Sequence, residues 1–156
     1  MPDTPAPRYD VIAIGNAIVD VLSPCEDAVI AELGLNRGGM TLVDADKARE
    51  IYAAMGPATE RSGGSAANTL AGMAAMGARC AFVGQVAQDQ FGDVFRHDIR
   101  AGGIAFETPA RAGDVPTGQC LILVSPDGER TMNTMLGAGQ FLHQDAIDED
   151  LVASAG

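Results

Sequence analysis

A carboxylate, an amide and a pair of glycines have the residue types that could bind a sugar. Asp20 supplies the carboxylate, and Asn68 follows Gly63 and Gly64 within about one helical turn. A carboxylate accepts hydrogen bonds from vicinal hydroxyls, and adjacent glycines let the backbone approach a ligand closely. Free backbone N–H groups at a helix start point the same way as a polar side chain there. We therefore predict a small hydroxyl-bearing ligand, with an ordinary Gly-rich loop before an Ala-rich helix as the alternative.

The same glycine pair marks a predicted helix start. Ser65 is expected to cap a helix that runs through Ala66 to about Met76 and stops at Gly77. Small side chains along this helix allow close approach to a sheet or to a second helix. Asn68 would then lie in the first helical turn, beside the ligand.

An apolar run near the N-terminus predicts the strand that positions the carboxylate. Residues 9–14 are almost all apolar and end at Gly15, which is typical of a buried strand. If the next residues are extended, Asn16, Ile18 and Asp20 share one face. Such a face would suit a ligand with hydroxyls and a flat ring, although a solvated strand edge is the open alternative. The stretch after Gly15 lacks the G-x-G-x-x-G spacing of a dinucleotide-binding turn.

The rest of the chain alternates between helix-like and strand-like segments. We predict helices over 26–33, 44–55 and 91–101, and strands over 40–43 and 80–83. This alternation predicts a parallel α/β sheet. Two later runs, 119–124 and 130–136, flank a turn sequence and predict a hairpin that could cover a pocket. Apolar residues after His143 recur at helical spacing.

Composition and charge narrow the class of protein. The 156 residues are 47% hydrophobic and 20% charged, which is typical of one globular domain. A formal net charge of −11 argues against a nucleic-acid partner, which needs clustered Lys and Arg. No apolar run is long enough to cross a bilayer and the N-terminus is unlike a signal peptide, so we expect a cytoplasmic protein without a membrane partner. Three distant cysteines and two histidines favour reduced thiols and no metal site.

Several motifs, taken in chain order, carry a family resemblance. They are Gly15-Asn16 with Asp20, Gly63-Gly64-x-x-x-Asn68, Gly77 before Val83-Gly84, Asp89-x-Phe91-Gly92, Gly102-Gly103-Ile104, Thr117-Gly118 and Gly128-Glu129-Arg130. The ordered set resembles the ribokinase/PfkB family of carbohydrate and nucleoside kinases, and within it the adenosine kinase branch. The resemblance runs from about residue 9 to the last residue.

The resemblance implies a fold and a domain organisation. The fold would be an α/β class, three-layer α/β/α ribokinase-like sandwich, incomplete here, with a small β-sheet lid. Residues 1–156 would form the N-terminal, acceptor-binding half, with lid segments near 16–23, 36–43 and 105–136. Because the missing elements cover part of this sheet in the family, we expect an exposed apolar face and marginal folding.

The resemblance also implies residue roles. Asp20 would accept hydrogen bonds from the ribose hydroxyls, while Asn68 and the Gly64 backbone would hold the same ribose. An apolar wall for a base would come from the first strands, and two further contacts would come from the lid. The implied substrate-binding set is Asn16, Ile18, Asp20, Met40, Leu42, Gly63, Gly64, Ser65, Asn68, Gln119 and Leu121.

The chain departs from the family in its transfer chemistry. Members carry a Gly-Ala-Gly-Asp motif with the base and an Asn-x-x-Glu motif linked to magnesium, both in their second half. Here Gly137-Ala138-Gly139 is followed by Gln140, which cannot accept a proton as an aspartate does. We therefore expect no catalytic residue in this chain. The complete protein would use ATP and Mg²⁺, neither of which this half is expected to bind alone.

Two functions remain open from the sequence. The first is the acceptor-binding part of an ATP-dependent kinase that phosphorylates adenosine on its 5′-hydroxyl, with ribose, fructose or another nucleoside as alternative substrates. The second is a non-catalytic binding module that forms a homodimer through its lid strands, since exposed β edges pair readily.

Overall fold

The structure alternates strands and helices before ending in a hairpin and short helical turns. In the computed structural model, which describes residues 7–156, the strands are β1 (Val11–Ile14), β2 (Ile18–Pro24), β3 (Met40–Leu42), β4 (Thr59–Gly63), β5 (Cys80–Val83), β6 (Ile104–Ala105), β7 (Gly118–Val124) and β8 (Arg130–Met135). The helices are α1 (Asp27–Glu32), α2 (Ala45–Ala54), α3 (Ser65–Ala75), α4 (Gln90–Ala101) and α5 (Glu149–Ala153). Turns of 3-10 helix cover Gly137–Phe141 and Gln144–Ala146.

The strands form two separate sheets. One is a parallel sheet of three strands in the order β1-β5-β6, against which α3 and α4 pack. The other has five strands in the order β3-β8-β7-β2-β4, with both parallel and antiparallel pairs. The predicted hairpin is β7 paired with β8, and it belongs to the second sheet. The expected α/β fold with a separate covering sheet is therefore confirmed.

Three phenylalanines form the centre of the core beside the parallel sheet. Phe82, Phe95 and Phe106 are each almost fully buried, with ring centroids 5.3 to 5.9 Å apart. Burying such a side chain contributes about 1.5–3 kcal/mol. Phe95 lies on the helix that the sequence predicted over 91–101, and it is buried there together with Ile99.

Strand β1 is less buried than its sequence predicted. Its Ile14 is 51% exposed, whereas every residue of β5 is buried. Within residues 7–156, β1 pairs with β5 on one side only, so its other side has no strand to cover it. An apolar run indicates a strand that can be buried on both sides, but burial itself depends on neighbours from elsewhere in the chain.

The start of α3 also differs from the prediction. The helix begins at Ser65 itself, and Gly64 occupies the cap position without a side-chain cap bond. Gly64 has a φ of +93°, a conformation that a serine adopts only with strain, so the glycine makes the turn into the helix. The prediction that Ser65 caps the helix was therefore wrong by one position.

The sequence did not predict two further elements correctly, because one strand is polar and one helix is short. β4, with the sequence Thr-Glu-Arg-Ser-Gly, was not predicted because it carries no apolar alternation, yet it pairs antiparallel with β2. The segment after His143 forms a 3-10 turn and the five-residue helix α5 rather than one continuous helix.

None of the helices among the described residues is long and apolar enough to cross a membrane.

One partly buried hydrogen-bond network joins the start of α4 to the residue before β7. The Asp89 carboxylate caps α4 by accepting from the Gly92 N–H at 2.8 Å. It also accepts from the Thr117 hydroxyl at 2.7 Å and the Thr117 N–H at 2.8 Å, just before β7. The fully buried Thr117 hydroxyl in turn accepts from the Ala87 N–H at 2.9 Å. Asp89 therefore holds the residue before β7 on the first turn of α4.

Replacing Asp89 should destabilise the protein more than replacing an ordinary helix cap. Asp89→Ala removes the cap and leaves two Thr117 donors unpaired, so we expect a loss of about 2–4 kcal/mol in the free energy of unfolding. The matched control is Asp44→Ala, because Asp44 caps α2 with one bond, to the Lys47 N–H. That control should cost about 1 kcal/mol. Urea unfolding measures both, and equal losses would contradict the joining role.

Candidate functional site

One face of the five-stranded sheet is built around Asp20. The strand register places Asp20 opposite Arg61 on β4 and opposite Cys120 on β7. Paired residues point their side chains to the same side, so these three share a face. The same face carries Ile18, Leu22, Met40, Leu42, Gly63, Ile122, Met132 and Thr134. It therefore combines one carboxylate with a largely apolar surface.

The Asp20 carboxylate lies against Gly63. A Cβ atom on Gly63 would overlap the Asp20 carboxyl group, so only glycine leaves room for this carboxylate. Partial burial raises the pKa of Asp20 from its usual value, and the positive charge of Arg130 opposes that rise. A half-buried carboxylate with free acceptor oxygens suits a ligand that donates hydrogen bonds, such as a vicinal diol.

The turn from β4 into α3 places the backbone of Gly63 and Gly64 beside Asp20 and Asn16. A Cβ on Gly64 would stand 2.8 Å from the backbone oxygen of Asn16, which shows how closely the two segments approach. Because Gly64 has no side chain, the first N–H groups of α3 have no side-chain cap. Asn68 is exposed in the first turn, and its own N–H donates to the Gly64 carbonyl at 2.9 Å.

Asn16 connects this turn with the residues that follow β8. Its side-chain oxygen would be 3.0 Å from a Cβ on Gly139, in the 3-10 turn Gly137–Phe141. The sequence alone assigned Gly137-Ala138-Gly139 no role in the site, because Gln140 follows it where the family motif has an aspartate. The structure places the segment directly beside Asn16, so it also borders the candidate site.

The predicted residues do not all reach this face. Gln119 and Leu121 alternate with Cys120 along β7, and they point to the opposite side of the sheet. Leu121 is fully buried in the main core, and Gln119 borders a different cavity. The structure therefore separates these two from Asp20, because the register with β2 pairs Gly118 with Ile18 and so places Cys120 beside Asp20.

Met40 and Leu42 share the Asp20 face but lie at its far edge. They belong to β3, which is separated from β2 by β8 and β7. Three strand spacings amount to about 14 Å. Their side chains are 58% and 61% exposed, so they form an open rim rather than a closed wall.

The sequence did not single out the residues nearest to Asp20 on β7. Cys120 and Ile122 are buried on the Asp20 face, together with Ile18. Burial raises the pKa of the Cys120 thiol, which accepts a hydrogen bond from the Thr134 hydroxyl at 3.3 Å. Strand alternation could have found these residues once Gly118 was known to lie opposite Ile18.

A comparison with known protein families identifies the family of this chain. A model of the pfkB family of carbohydrate kinases matches residues 40–156. The chain belongs to this family. The resemblance that the ordered motifs carried is thereby confirmed.

Solved structures of related kinases share the ribokinase-like fold. The adenosine kinase of Sinorhizobium meliloti is 49% identical, with a TM-score of 0.86, over 95% of this chain and 45% of that chain. A probable sugar kinase from Rhizobium etli CFN 42 is 46% identical, with a TM-score of 0.87, over 96% of this chain and 45% of that chain. Among curated proteins, the ribokinase of Mus musculus is 30% identical over 85 residues, which are 54% of this chain and 26% of the mouse protein.

This chain is much shorter than the relatives that it matches. It spans less than half the length of the solved kinases and about a quarter of the mouse ribokinase. The family model's match over residues 40–156 contains the Gly63–Gly64 turn, and Asp20 lies before it.

The half-buried carboxylate should cost stability at neutral pH. Since the folded-state pKa of Asp20 is raised, the folded chain holds this proton more tightly than the unfolded chain does. Above the folded-state pKa, the ionised carboxylate therefore lowers the free energy of unfolding. This loss of stability disappears as the pH falls to the pKa of Asp in the unfolded chain, about 3.9. Asp20→Asn should raise Tm at pH 7, with a difference from wild type that shrinks at acid pH.

Calorimetry at several pH values measures this difference. The exposed Asp93→Asn is the matched control and should leave Tm nearly unchanged at pH 7. An Asp20→Asn variant that melts at or below the wild-type Tm at pH 7 would show that the carboxylate is stabilised rather than strained.

A second carboxylate holds the Gly63–Gly64 turn in place. One oxygen of Asp98, on α4, accepts from the Ser62 N–H at 2.7 Å and from the Ser62 hydroxyl at 2.8 Å. Asp98→Ala should therefore loosen the end of β4, at a cost of about 1–3 kcal/mol. Hydrogen exchange should speed up most at residues 62–64, and Ser62→Ala should give a smaller effect. Uniform acceleration along the chain would argue against a local hold.

Proposed function

We propose that this chain provides the acceptor-binding part of an ATP-dependent nucleoside kinase, with adenosine as the preferred acceptor. The observation that carries the proposal is the contact of the Asp20 carboxylate with Gly63, beside the uncapped start of α3. Ribose presents two adjacent hydroxyls, and a carboxylate accepts a hydrogen bond from each. A site built this way rejects ligands that leave its polar groups unpaired.

The apolar part of the Asp20 face supplies a place for a flat base. Ile18, Cys120 and Ile122 form one buried cluster within the ladder next to Asp20. Leu22, Met132 and Leu136 pack against this cluster and are only partly buried, so they leave apolar surface on which a base could rest. A free sugar such as ribose or fructose would leave the apolar surface uncovered, which favours a nucleoside.

The similarity to the Sinorhizobium meliloti adenosine kinase supports the same acceptor. A sugar acceptor remains the alternative, because the chain is also similar to a probable sugar kinase and to a ribokinase. The two classes differ in the base, so binding of adenosine and of ribose separates them.

The donor side of the reaction lies outside these residues. The family implies ATP with Mg²⁺, which would neutralise phosphate charge during transfer. Within residues 7–156, no group of three His, Cys, Asp or Glu side chains is arranged to hold a metal ion. Our expectation of no turnover by this chain alone rests on the family motifs that its sequence lacks, Gly-Ala-Gly-Asp and Asn-x-x-Glu. The role of the described residues is to bind and orient the acceptor hydroxyl, which is one of the requirements of phosphoryl transfer.

Calorimetric titration tests acceptor binding. Adenosine should bind, and Asp20→Ala should lower the affinity for adenosine by about 10- to 150-fold. This range corresponds to the free energy that hydrogen bonds to a charged group contribute. The control is Asp93→Ala, an exposed carboxylate on α4 that should leave the affinity unchanged. Equal affinity for adenosine in wild type and Asp20→Ala would remove Asp20 from the site. Tighter binding of ribose than of adenosine would favour the sugar kinase.

An exposed sheet edge supports a second proposal, a homodimer. Strand β3 ends the five-stranded sheet in the described structure, and Met40, Thr41 and Leu42 are all exposed. Such an edge can pair with a second copy. Sedimentation should then show a dimer that Met40→Lys with Leu42→Lys converts to monomer. A wild-type monomer would exclude pairing through this edge.

A further inference from the structure

A second cavity lies on the side of the five-stranded sheet that faces away from Asp20. It has a volume of about 370 Å³ and is bounded by α2, the start of α4, the segment before β7, and the strands β7 and β8. This size falls within the range of small-molecule sites in proteins, about 300–1,000 Å³. Its strand residues are Gln119 and Met135, which pair with each other across the hairpin.

Aromatic rings form one wall of this cavity. Tyr52 on α2 and Phe91 on α4 meet edge to face, with ring centroids 6.0 Å apart and an angle of 88° between the planes. Tyr52 is 44% exposed although it lies among apolar residues, so part of its ring is available to a ligand. Planar rings pack well on such a wall in offset or edge-to-face geometry.

Gln119 is the polar group at the sheet wall of the cavity. The side-chain hydrogen bonds of β7 and β8 among the described residues involve Cys120, Thr131, Asn133 and Thr134, and none involves Gln119. Its carboxamide therefore offers one acceptor and two donor hydrogens to a ligand. A primary carboxamide matches a ring edge that carries an adjacent donor and acceptor, as in an aminopurine.

The charges around the cavity balance each other. Arg49 and Asp114, which carry opposite charges, are the two charged residues that border it. The wall thus offers no net charge to attract an anion or a cation. An uncharged ligand fits this balance better than a phosphate or an amine.

The cavity is distinct from the Asp20 face. It adjoins a neighbouring cavity that reaches Leu42 and Thr134, and the two share part of their lining on α2, on the segment before β7 and on β8. The five-stranded sheet nevertheless lies between Gln119 and Asp20.

From these contacts we infer that the cavity between Tyr52 and Gln119 binds an uncharged, planar heterocycle of nucleobase size. Its ring packs against Tyr52 and Phe91, and its donor–acceptor edge pairs with the Gln119 carboxamide. The site stands on its own geometry and does not depend on acceptor binding at Asp20.

Fluorine NMR of the chain labelled with 3-fluorotyrosine tests the inference. The chain contains two tyrosines, and Tyr9→Phe assigns the Tyr52 signal by elimination. Titration with adenine should shift the Tyr52 signal until it saturates. Purine, which has the same ring without the amino group, should bind at least about tenfold more weakly, because the Gln119 oxygen loses its donor.

Three variants decide between the possible outcomes. Gln119→Leu should weaken adenine binding at least about tenfold, and Ala45→Trp, which puts a large ring on the α2 side of the cavity, should abolish the shift. Asp20→Asn should leave the shift unchanged, which separates this site from the acceptor site. No saturable shift in wild type, an undiminished shift in Gln119→Leu, or loss of the shift in Asp20→Asn would each overturn the inference.

Discussion

The pairing of β2 with a strand on each side is the constraint on which the candidate site depends. The antiparallel partner β4 brings Gly63 against the Asp20 carboxylate, and the parallel partner β7 places Cys120 on its other flank. A shift of one residue in either ladder would turn Asp20 to the opposite face of the sheet. The register is held because Val19 and Val21, which alternate with Asp20, are fully buried in the main core.

A half-buried carboxylate is expensive, and the surrounding packing offsets that cost. Asp20 has a raised pKa because burial removes water from its charged form, and Arg130 compensates only in part. In an enzyme, such strain is retained where the charge meets a ligand. The rest of the sheet supplies the stabilisation through a continuous apolar core from β2 and β7 to the helices.

Two carboxylates of α4, one at each end, bind the segments that lead into the site. Asp89 at its start holds Thr117, which leads into β7, and Asp98 near its end holds Ser62, which leads into Gly63. Both flanks of β2 are thus anchored to a single helix whose buried face carries Phe95 and Ile99. The lid-like sheet and the parallel sheet are consequently joined by defined hydrogen bonds as well as by apolar contact.

Local sequence determined most of the elements and the family of this protein. An apolar run predicted β5, two strand-like runs around a turn sequence predicted the hairpin, the segment 44–55 predicted α2, and the ordered glycine motifs identified a pfkB kinase. These features depend on residues close together in the chain, where backbone propensity and side-chain periodicity decide the outcome. Tertiary structure alone decided the pairing of the polar strand β4, the exposure of Ile14 and the face to which Gln119 points. Each of these depends on register or burial between distant segments, and a single strand's sequence does not encode which neighbour it will meet.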